Sequence, residues 1–361
     1  MRAIGVSQAK RTIKLIDHPE PQRSADDEVR IRILEVGVCG TDREICEFKF
    51  GEPPPGSEHL VLGHEALGEV IDVGPAVQGL RAGSLVVPMV RLPCADPSCG
   101  ACRAGRQDFC LSDTFPEHGI RRSHGFMAER IVEREKYLVP VAADLRDVAV
   151  LVEPLTIMDK ALREVEKIQE RMPWHPGIGR RALVLGAGPV GLLGAMAFLL
   201  RGCDTTIVAR SPGDTPNARL AKSVGAKYVS SREVPLRELA AQGGPFDVIY
   251  EAAGAPQAAF DALAALAPNG VCILTGVPGA GDWVKIDGGW TMRNLVLQNQ
   301  IILGTVNAGR DSFTGAIAML GQMNQRWPQS LRGLITGRHP LESYAELLLE
   351  KPQGIKSILV L

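Results

Sequence analysis

The chain is organised around the stretch Arg181-Ala-Leu-Val-Leu-Gly-Ala-Gly-Pro-Val-Gly191. Its apolar beginning predicts a strand buried on both faces, and the apolar run that continues to Gly202 predicts a helix. The glycines between them permit a tight turn, close approach of a pyrophosphate and close packing of the helix on the strand. Because residues 205–209 predict a second strand, the pattern indicates a βαβ unit that binds a dinucleotide. The residues assigned to this turn are Gly186, Gly188, Pro189, Val190 and Gly191.

The end of the second strand indicates which dinucleotide is bound. A unit that prefers NAD places an acid about 20 residues after the glycines, where it holds the ribose 2′-hydroxyl. This chain has Arg210 and Ser211 there and no carboxylate. A guanidinium can bind a 2′-phosphate through two parallel hydrogen bonds, and a serine can donate a further one. The sequence therefore predicts NADP, with NAD kept as an alternative.

Length and composition indicate two ordinary globular domains, because the 361 residues are 45% hydrophobic and 22% charged. The net charge is −1 and the lysines and arginines form no stripe, so no nucleic-acid partner is expected. No stretch is long enough to span a membrane, and the first residues lack the apolar core of a signal peptide. We therefore expect a cytoplasmic protein with no membrane partner, whose eight cysteines serve metal binding or catalysis before disulfides.

The pattern of short strands and helices changes along the chain. Roughly the first 150 residues combine short strands with many turns, which is typical of a compact β-rich domain of the barrel type. A helical pattern begins at Pro154, and strand and helix patterns then alternate as far as residue 308. The last residues are interpreted as rejoining the first domain. The predicted domains are residues 1–170 with 309–361, and residues 171–308.

Four cysteines lie close together in a loop rich in glycine and arginine, residues 94–110. Four thiolates are the ligand set of a closed, tetrahedral structural zinc site. Such a loop has little apolar material with which to fold by itself, so the metal would supply its ordering energy. The spacing predicts a structural zinc ion bound by Cys94, Cys99, Cys102 and Cys110.

A second group of metal-ligating side chains is dispersed over more than a hundred residues: Cys39, His64, Glu65 and Glu153. One thiolate, one imidazole and one carboxylate suit a zinc ion that keeps an open coordination position. Each residue also has an ordinary structural explanation, as a small hydrophobe, a core histidine or a solvated acid. Spacing alone leaves the two interpretations open.

The same segments resemble the zinc-dependent medium-chain dehydrogenases. A Cys-Gly-Thr-Asp segment at 39–42, a Gly-His-Glu segment at 63–65, the cysteine lobe and the glycine motif occur there in this order. Within that superfamily the chain is most similar to the archaeal-type glucose dehydrogenases. Four local features carry this resemblance. They are the segment 117–120 followed shortly by the segment 124–129, the segment Glu153-Pro-Leu155, the insert 172–177 ahead of the glycine motif, and the segment 304–308.

The resemblance implies an α/β protein, with a Rossmann doubly wound parallel sheet domain beside a β-rich, GroES-like catalytic domain. It implies a catalytic zinc ion held by Cys39, His64 and Glu153, with Glu65 nearby as a ligand or a neighbour of the ligands. It assigns a proton relay to Thr41. The sugar-binding residues that it implies are Thr41, Glu117, Glu153 and Asn307, and the further cofactor residues are Thr275, Gly276, Val277, Thr305 and Asn307.

The implied reaction is oxidation of an aldose such as glucose at C1 to the lactone, with hydride transferred to NADP. Zinc would lower the pKa of the reacting hydroxyl, and two zinc ions per chain are expected. The resemblance also implies a homo-oligomer, a dimer or tetramer joined through the nucleotide-binding sheet. The alternatives are a polyol or amino-alcohol dehydrogenase with the same zinc chemistry, and a non-catalytic NADPH-binding protein.

This chain departs from the family pattern at three places. Ser211 follows Arg210 where relatives often carry a second basic residue. The first cysteine spacing is longer than the common one. Ser312 stands where relatives often carry a histidine beside the substrate-binding asparagine, which leaves the preferred sugar open.

Overall fold

The computed structural model describes residues 1–174, 177, 179–279, 283–351 and 353–361. His175 and Pro176, which belong to the insert at 172–177, lie outside these described residues. The density of internal contacts divides the chain into two compact units. The first unit comprises Met1–Thr156, Asn307–Gly321 and Ile335–Leu361, and the second comprises Ile157–Val306 and Gln322–Leu334. The domain boundaries drawn from the sequence, at 170 and 308, stay a prediction.

The strands of the described chain, in order, are β1 (Arg2–Ser7), β2 (Thr12–Asp17), β3 (Glu28–Gly37), β4 (Leu60–Val61), β5 (Glu65–Val73), β6 (Leu85–Pro88), β7 (Glu117–His118), β8 (Arg122–Ser123), β9 (Arg130–Arg134), β10 (Leu138–Val141), β11 (Arg181–Leu185), β12 (Asp204–Ala209), β13 (Lys227–Ser230), β14 (Phe246–Glu251), β15 (Leu266–Leu274), β16 (Ile301–Gly304), β17 (Ile335–Pro340) and β18 (Lys356–Val360).

The helices, in order, are α1 (Gly40–Cys46), α2 (Gly100–Arg103), α3 (Val152–Gln169), α4 (Pro189–Leu200), α5 (Pro216–Ser223), α6 (Leu236–Gly243), α7 (Pro256–Ala262), α8 (Gly288–Leu297), α9 (Arg310–Arg326), α10 (Pro328–Gly333) and α11 (Tyr344–Leu349). Single 3₁₀ turns lie at Gln107–Phe109, Glu135–Tyr137, Ala143–Leu145, Ala149–Leu151, Leu263–Ala265 and Leu341–Ser343. Within the described part of the chain, every helix is too short or too polar to cross a bilayer.

The first unit is built on a sheet with the strand order β10-β6-β5-β3-β18-β17, in which β9 also pairs with β3. Along β3 the apolar side chains Val29, Ile31 and Ile33 are fully buried and alternate with charged residues, as a half-buried strand requires. Strand β18 pairs antiparallel with β3, so residues 356–360 lie beside residues 28–37 in this sheet.

The second unit contains a parallel sheet of six strands in the order β13-β12-β11-β14-β15-β16. This is the doubly wound order, in which the strand sequence reverses between β11 and β14. Strand β11 is almost entirely buried, because helices cover both faces of a parallel sheet. The predicted fold class is therefore confirmed, and the reversal point is where such sheets bind their ligands.

Candidate active site

A glycine turn and a helix start bring the first metal-ligating side chains into place. Cys39 follows β3 and immediately precedes α1, and its backbone N–H donates to Oδ2 of Asp42 at 2.9 Å. His64 lies between β4 and β5, after Gly63, whose φ of +90° lies in the left-handed region. A side chain at Gly63 would meet Cγ of Met127 at 2.7 Å, so both the backbone conformation and the space require glycine there.

Three of the predicted donors converge. Ligand atoms of Cys39, His64 and Glu65 all lie within 4.8 Å of one another, and His64 and Glu65 are buried. Nδ1 of His64 is buried and lies 3.4 Å from Oδ1 of Asp42. A thiolate, an imidazole and a carboxylate are a donor set that fits zinc with an open position.

Glu153 lies beside this cluster and is not one of its three converging donors. It stands in the first turn of α3. Burial raises the pKa of its carboxyl, His64 opposes this effect and Glu65 adds to it, so that the net pKa is about 7. The structure therefore brings a ligand atom of Glu65, rather than one of Glu153, within 4.8 Å of those of Cys39 and His64. The ligand roles of both carboxylates stay predictions.

Two charged residues that the sequence analysis missed complete the cluster. Lys356, on β18, is buried, forms an ion pair with Oε2 of Glu65 and donates to the carbonyl of Val38 at 3.0 Å. Burial lowers the pKa of Lys356, but Glu65, Cys39 and Glu153 together raise it above its ordinary value. Asp42 is fully buried beside His64. The available signal for Lys356 was that it is the one charged residue of the segment Ile355-Lys-Ser-Ile-Leu-Val360.

The buried acids also determine the charge of the imidazole. Burial lowers the pKa of His64, but Asp42 and Cys39 together hold that pKa well above its ordinary value. Burial raises the pKa of Asp42, but His64, the Cys39 backbone N–H and Lys356 together bring it below its ordinary value. Because a metal binds neutral imidazole, zinc would displace a proton from His64 on binding.

The cysteine lobe brings four sulfur atoms together. The sulfurs of Cys94, Cys99, Cys102 and Cys110 all lie within 4.8 Å of one another, and none of the four forms a disulfide. A backbone N–H donated by Cys102 lowers the pKa of the Cys99 thiol to about 6, whereas burial raises the pKa of Cys102 to about 12. Four converging thiols of this kind fit a closed tetrahedral zinc site.

The predicted sugar-binding residues Glu117 and Asn307 meet in the first unit. Nδ2 of Asn307 donates to Oε1 of Glu117 at 2.7 Å, and Nε of Arg91 donates to the same oxygen at 3.0 Å. The Glu117 side chain is 13% exposed. Thr41 is half-buried on α1, and Ser312 is buried on α9. Arg91 was missed because nothing in its local sequence signals a partner.

The glycine motif of the second unit forms the predicted turn between β11 and α4. Gly186 has a φ of +101°, and a side chain at Gly191 would meet the carbonyl oxygen of Gly186 at 2.1 Å. Gly188 caps α4, with Pro189 in its first turn, and a side chain there would enter open space. The turn therefore leaves room at the helix N-terminus for a pyrophosphate.

An open cleft of about 910 Å³ lies beside this turn, within the second unit. Arg210 lines it from the end of β12, and Lys285, missed by the sequence analysis, lines it from the segment before α8. Two acids also line the cleft: Asp287 accepts the backbone N–H of Trp290, and Asp261 accepts the amide of Gln257. Arg210 and Lys285 are the two cations of the lining that could bind an anionic group. The backbone carbonyl of Ser211 accepts a hydrogen bond from the hydroxyl of Tyr228.

A buried carboxylate organises the loops at the sheet reversal. Glu251, at the end of β14, accepts backbone N–H groups from Ala253, Ala255 and Gly276, at 2.8, 3.3 and 3.2 Å. The hydroxyl of Thr275 donates to the Glu251 carbonyl at 2.7 Å. These contacts fix the segment that contains the predicted cofactor residues Thr275, Gly276 and Val277. Oγ1 of Thr305 is buried without a partner among the described residues.

Comparison with protein-family models identifies both parts of the sequence. Residues 146–361 match the model of the glucose dehydrogenase C-terminus, and residues 25–143 match the alcohol dehydrogenase GroES-like domain. The chain belongs to the glucose dehydrogenase family. The predicted superfamily, its archaeal-type glucose dehydrogenase branch and the class of NAD(P)-dependent dehydrogenase are thereby confirmed.

Relatives of this glucose dehydrogenase family member match it from end to end. It is 39% identical to a glucose 1-dehydrogenase of Methanocella arvoryzae, covering 99% of this chain and 98% of the relative. It is 40% identical to a glucose 1-dehydrogenase of Thermoproteus tenax, with 99% of both chains covered. The solved structure of Haloferax mediterranei glucose dehydrogenase in complex with NADP, Zn and gluconolactone has a TM-score of 0.90 and 32% identity, covering 100% of this chain and 99% of that one.

Proposed function

We propose that this chain oxidises an aldose such as glucose at C1 to the lactone and transfers the hydride to NADP. The observation that carries the proposal is the convergence of Cys39, His64 and Glu65 in the unit that also pairs Glu117 with Asn307. A metal-ligating cluster supplies the chemistry for an alcohol, and the pair supplies hydrogen bonds for sugar hydroxyls. The named relatives support the choice of glucose as the first substrate to test.

The catalytic zinc ion would be held by Cys39 and His64 with a carboxylate of Glu65 or Glu153. When bound, it supplies Lewis acidity that lowers the pKa of the reacting hydroxyl. Asp42 faces His64 and fixes the ring that must present its other nitrogen to the metal. Lys356 neutralises Glu65 in a buried setting where a lone carboxylate would be costly.

Proton removal and substrate selection fall to side chains of the first unit. We assign the proton relay to the hydroxyl of Thr41, which can both accept and donate a hydrogen bond. Glu117, Glu153 and Asn307 would hold the ring hydroxyls. A carboxylate is acceptor-only and an amide nitrogen is donor-only, so a misplaced hydroxyl would leave one of them unpaired.

The NADP proposal depends on Arg210 and Lys285, the two cations that line the cleft in the second unit. The lining also contains Asp261 and Asp287, which accept hydrogen bonds from Gln257 and from the backbone of Trp290. Lys285 would supply the second positive charge that the chain lacks at Ser211. Further cofactor contacts are assigned to the glycine turn, to Thr275, Gly276 and Val277, and to Thr305 and Asn307.

Two zinc ions per chain, a homo-oligomer and a cytoplasmic location complete the proposal. The cysteine lobe would hold the second ion. Strand β16 pairs only with β15 among the described strands, and α8 exposes Trp290, Met292, Val296 and Leu297. An apolar helix beside an open sheet edge supports assembly through the nucleotide-binding sheet. The eight free cysteines support a reducing compartment.

The decisive experiment is a screen of aldoses and polyols with NADP and NAD after zinc loading. We expect turnover on an aldose with NADP, and lactone as the product. Turnover on sorbitol or threonine without turnover on aldoses would replace the proposal with a polyol or amino-alcohol dehydrogenase. Binding of NADPH without turnover of any alcohol would indicate a non-catalytic binding protein.

A further inference from the structure

Arg91 contacts the proposed sugar-binding carboxylate through two of its nitrogens. Nε lies 3.0 Å and Nη2 lies 2.9 Å from Oε1 of Glu117, and the Arg91 side chain is only 10% exposed. Asn307 donates to the same oxygen at 2.7 Å. Among the described residues, all hydrogen bonds to the Glu117 carboxylate end on Oε1. The other oxygen, Oε2, is therefore the acceptor that remains for a ligand.

The other side of the Arg91 guanidinium is anchored to the cysteine lobe. Nη1 donates to the backbone carbonyl of Asp108 at 3.3 Å, in the 3₁₀ turn Gln107–Phe109 that directly precedes Cys110. The guanidinium also lies over the ring of Phe115, 3.9 Å from its centroid. A planar cation held by a ring, a carbonyl and a carboxylate has little freedom, so the position of the lobe is transmitted to Glu117.

We propose that Arg91 is a positioning residue for Glu117, and that through it the cysteine lobe governs which epimer of an aldose is accepted. This inference rests on the proposed function. Arg91 holds Glu117 in one rotamer, with Oε2 directed to the ligand. Without Arg91, the carboxylate loses two of its donors and can rotate, so a hydroxyl of either configuration can be accommodated.

The test compares Arg91→Met with a matched control, Arg121→Met. Arg121 approaches the same Phe115 ring, at 5.4 Å, but pairs with Asp113 and Glu52 instead. We expect Arg91→Met to lower the glucose-to-galactose ratio of kcat/KM by roughly tenfold to a hundredfold, mostly through KM. Turnover of a short alcohol should change little. Arg121→Met should leave the ratio unchanged, and an equal loss in both variants would overturn the inference.

A double-mutant cycle determines whether Arg91 acts through Glu117. If it does, Arg91→Met combined with Glu117→Gln should be no worse than Glu117→Gln alone. Additive losses would mean that Arg91 acts elsewhere, and would overturn the positioning role. Arg91→Lys keeps the charge without the planar fork, so it should restore part of the ratio and provides a folded variant should Arg91→Met not fold. If Arg91→Lys lowers the epimer ratio as far as Arg91→Met does, this would also contradict the inference.

The link to the lobe needs a separate measurement. Cys102→Ser should release zinc from the lobe, as elemental analysis can show, and should lower the same epimer ratio. If the variant loses that zinc and the epimer ratio stays unchanged, the proposed influence of the cysteine lobe on substrate choice is overturned. The wild type distinguishes failure of the proposed function from failure of this inference. If the wild type oxidises no aldose, the proposed function fails. If it does and Arg91→Met behaves like the control, only this inference fails.

Discussion

The side-chain amide of Asn307 donates a hydrogen bond of 2.7 Å to the carboxylate of Glu117, 190 residues earlier in the chain. Asn307 adopts a φ of +58°, and its own Oδ1 accepts the backbone N–H of Ala308 at 2.8 Å. The amide is thus fixed with its nitrogen toward Glu117. A donor and an acceptor in fixed orientation can distinguish the configurations of ring hydroxyls. This pair is therefore the best candidate for selecting which sugar binds.

Replacing Glu117 by Gln tests that role. The amide can donate as well as accept, so the variant should tolerate a misplaced hydroxyl. We expect kcat/KM for the best aldose to fall by roughly tenfold to a hundredfold, with a much smaller change for a short alcohol that lacks ring hydroxyls. The measurement is steady-state kinetics on glucose, galactose and that alcohol. Equal losses on all three would indicate that Glu117 supports the fold instead.

The two metal-ligating clusters should bind zinc independently. Elemental analysis of the zinc-loaded protein should find two ions per chain, one at each cluster of donors. His64→Ala should abolish turnover and leave NADPH binding nearly intact, because the change removes a ligand only in the first unit. Cys102→Ser should instead lower thermal stability more than the turnover of a short alcohol. An active sample with at most one zinc per chain would refute the prediction.

Arg210→Ala should raise the KM for NADP and leave the KM for NAD almost unchanged. Loss of a charge-assisted contact to a phosphate costs about 1.5–3 kcal/mol, which corresponds to about tenfold to a hundredfold. Lys285→Ala should act in the same direction with a smaller effect, because a lysine makes no bidentate contact. KM measured with both cofactors checks this. Equal losses with NADP and NAD would make Arg210 a structural residue.

A buried histidine next to Glu117 makes part of the stability depend on pH. His118 donates from Nε2 to Glu133 and from Nδ1 to the carbonyl of His124, each at 2.8 Å. Burial lowers the pKa of His118, but Glu133 and the His124 carbonyl together raise it, so the net pKa lies above 6.5. A raised folded pKa stabilises the protein below the unfolded value, and this contribution is lost as pH rises through the folded value.

Glu133→Gln should therefore lower Tm most at acidic pH. The difference in Tm between wild type and variant should be largest near pH 5.5 and should shrink toward about pH 8.5. Thermal unfolding monitored at several pH values provides the measurement, and Arg121→Met serves as a control whose effect should not follow this curve. A difference that grows with pH would show that His118 is neutral in the folded protein.

The sequence determined those features whose parts lie close together along the chain. A strand, three glycines and a helix within about 20 residues specify the dinucleotide turn, because the backbone itself forms the binding surface. The structure shows that turn, with a left-handed Gly186 and no room for a side chain at Gly191. The cysteine lobe was predictable for the same reason, since its four sulfurs lie within residues 94–110.

Only the tertiary structure decided which distant side chains become partners. It brought Glu65, rather than Glu153, close to Cys39 and His64, and it placed Lys356 from the last strand against Glu65. It also joined Arg91 to Glu117. The position of Lys356 depends on the pairing of β18 with β3, and that of Arg91 on its bridge to Glu117. Separation in sequence carries no information about either pairing. The charge of each buried group follows from its neighbours in space, so its chemistry is decided only when the sheet has formed.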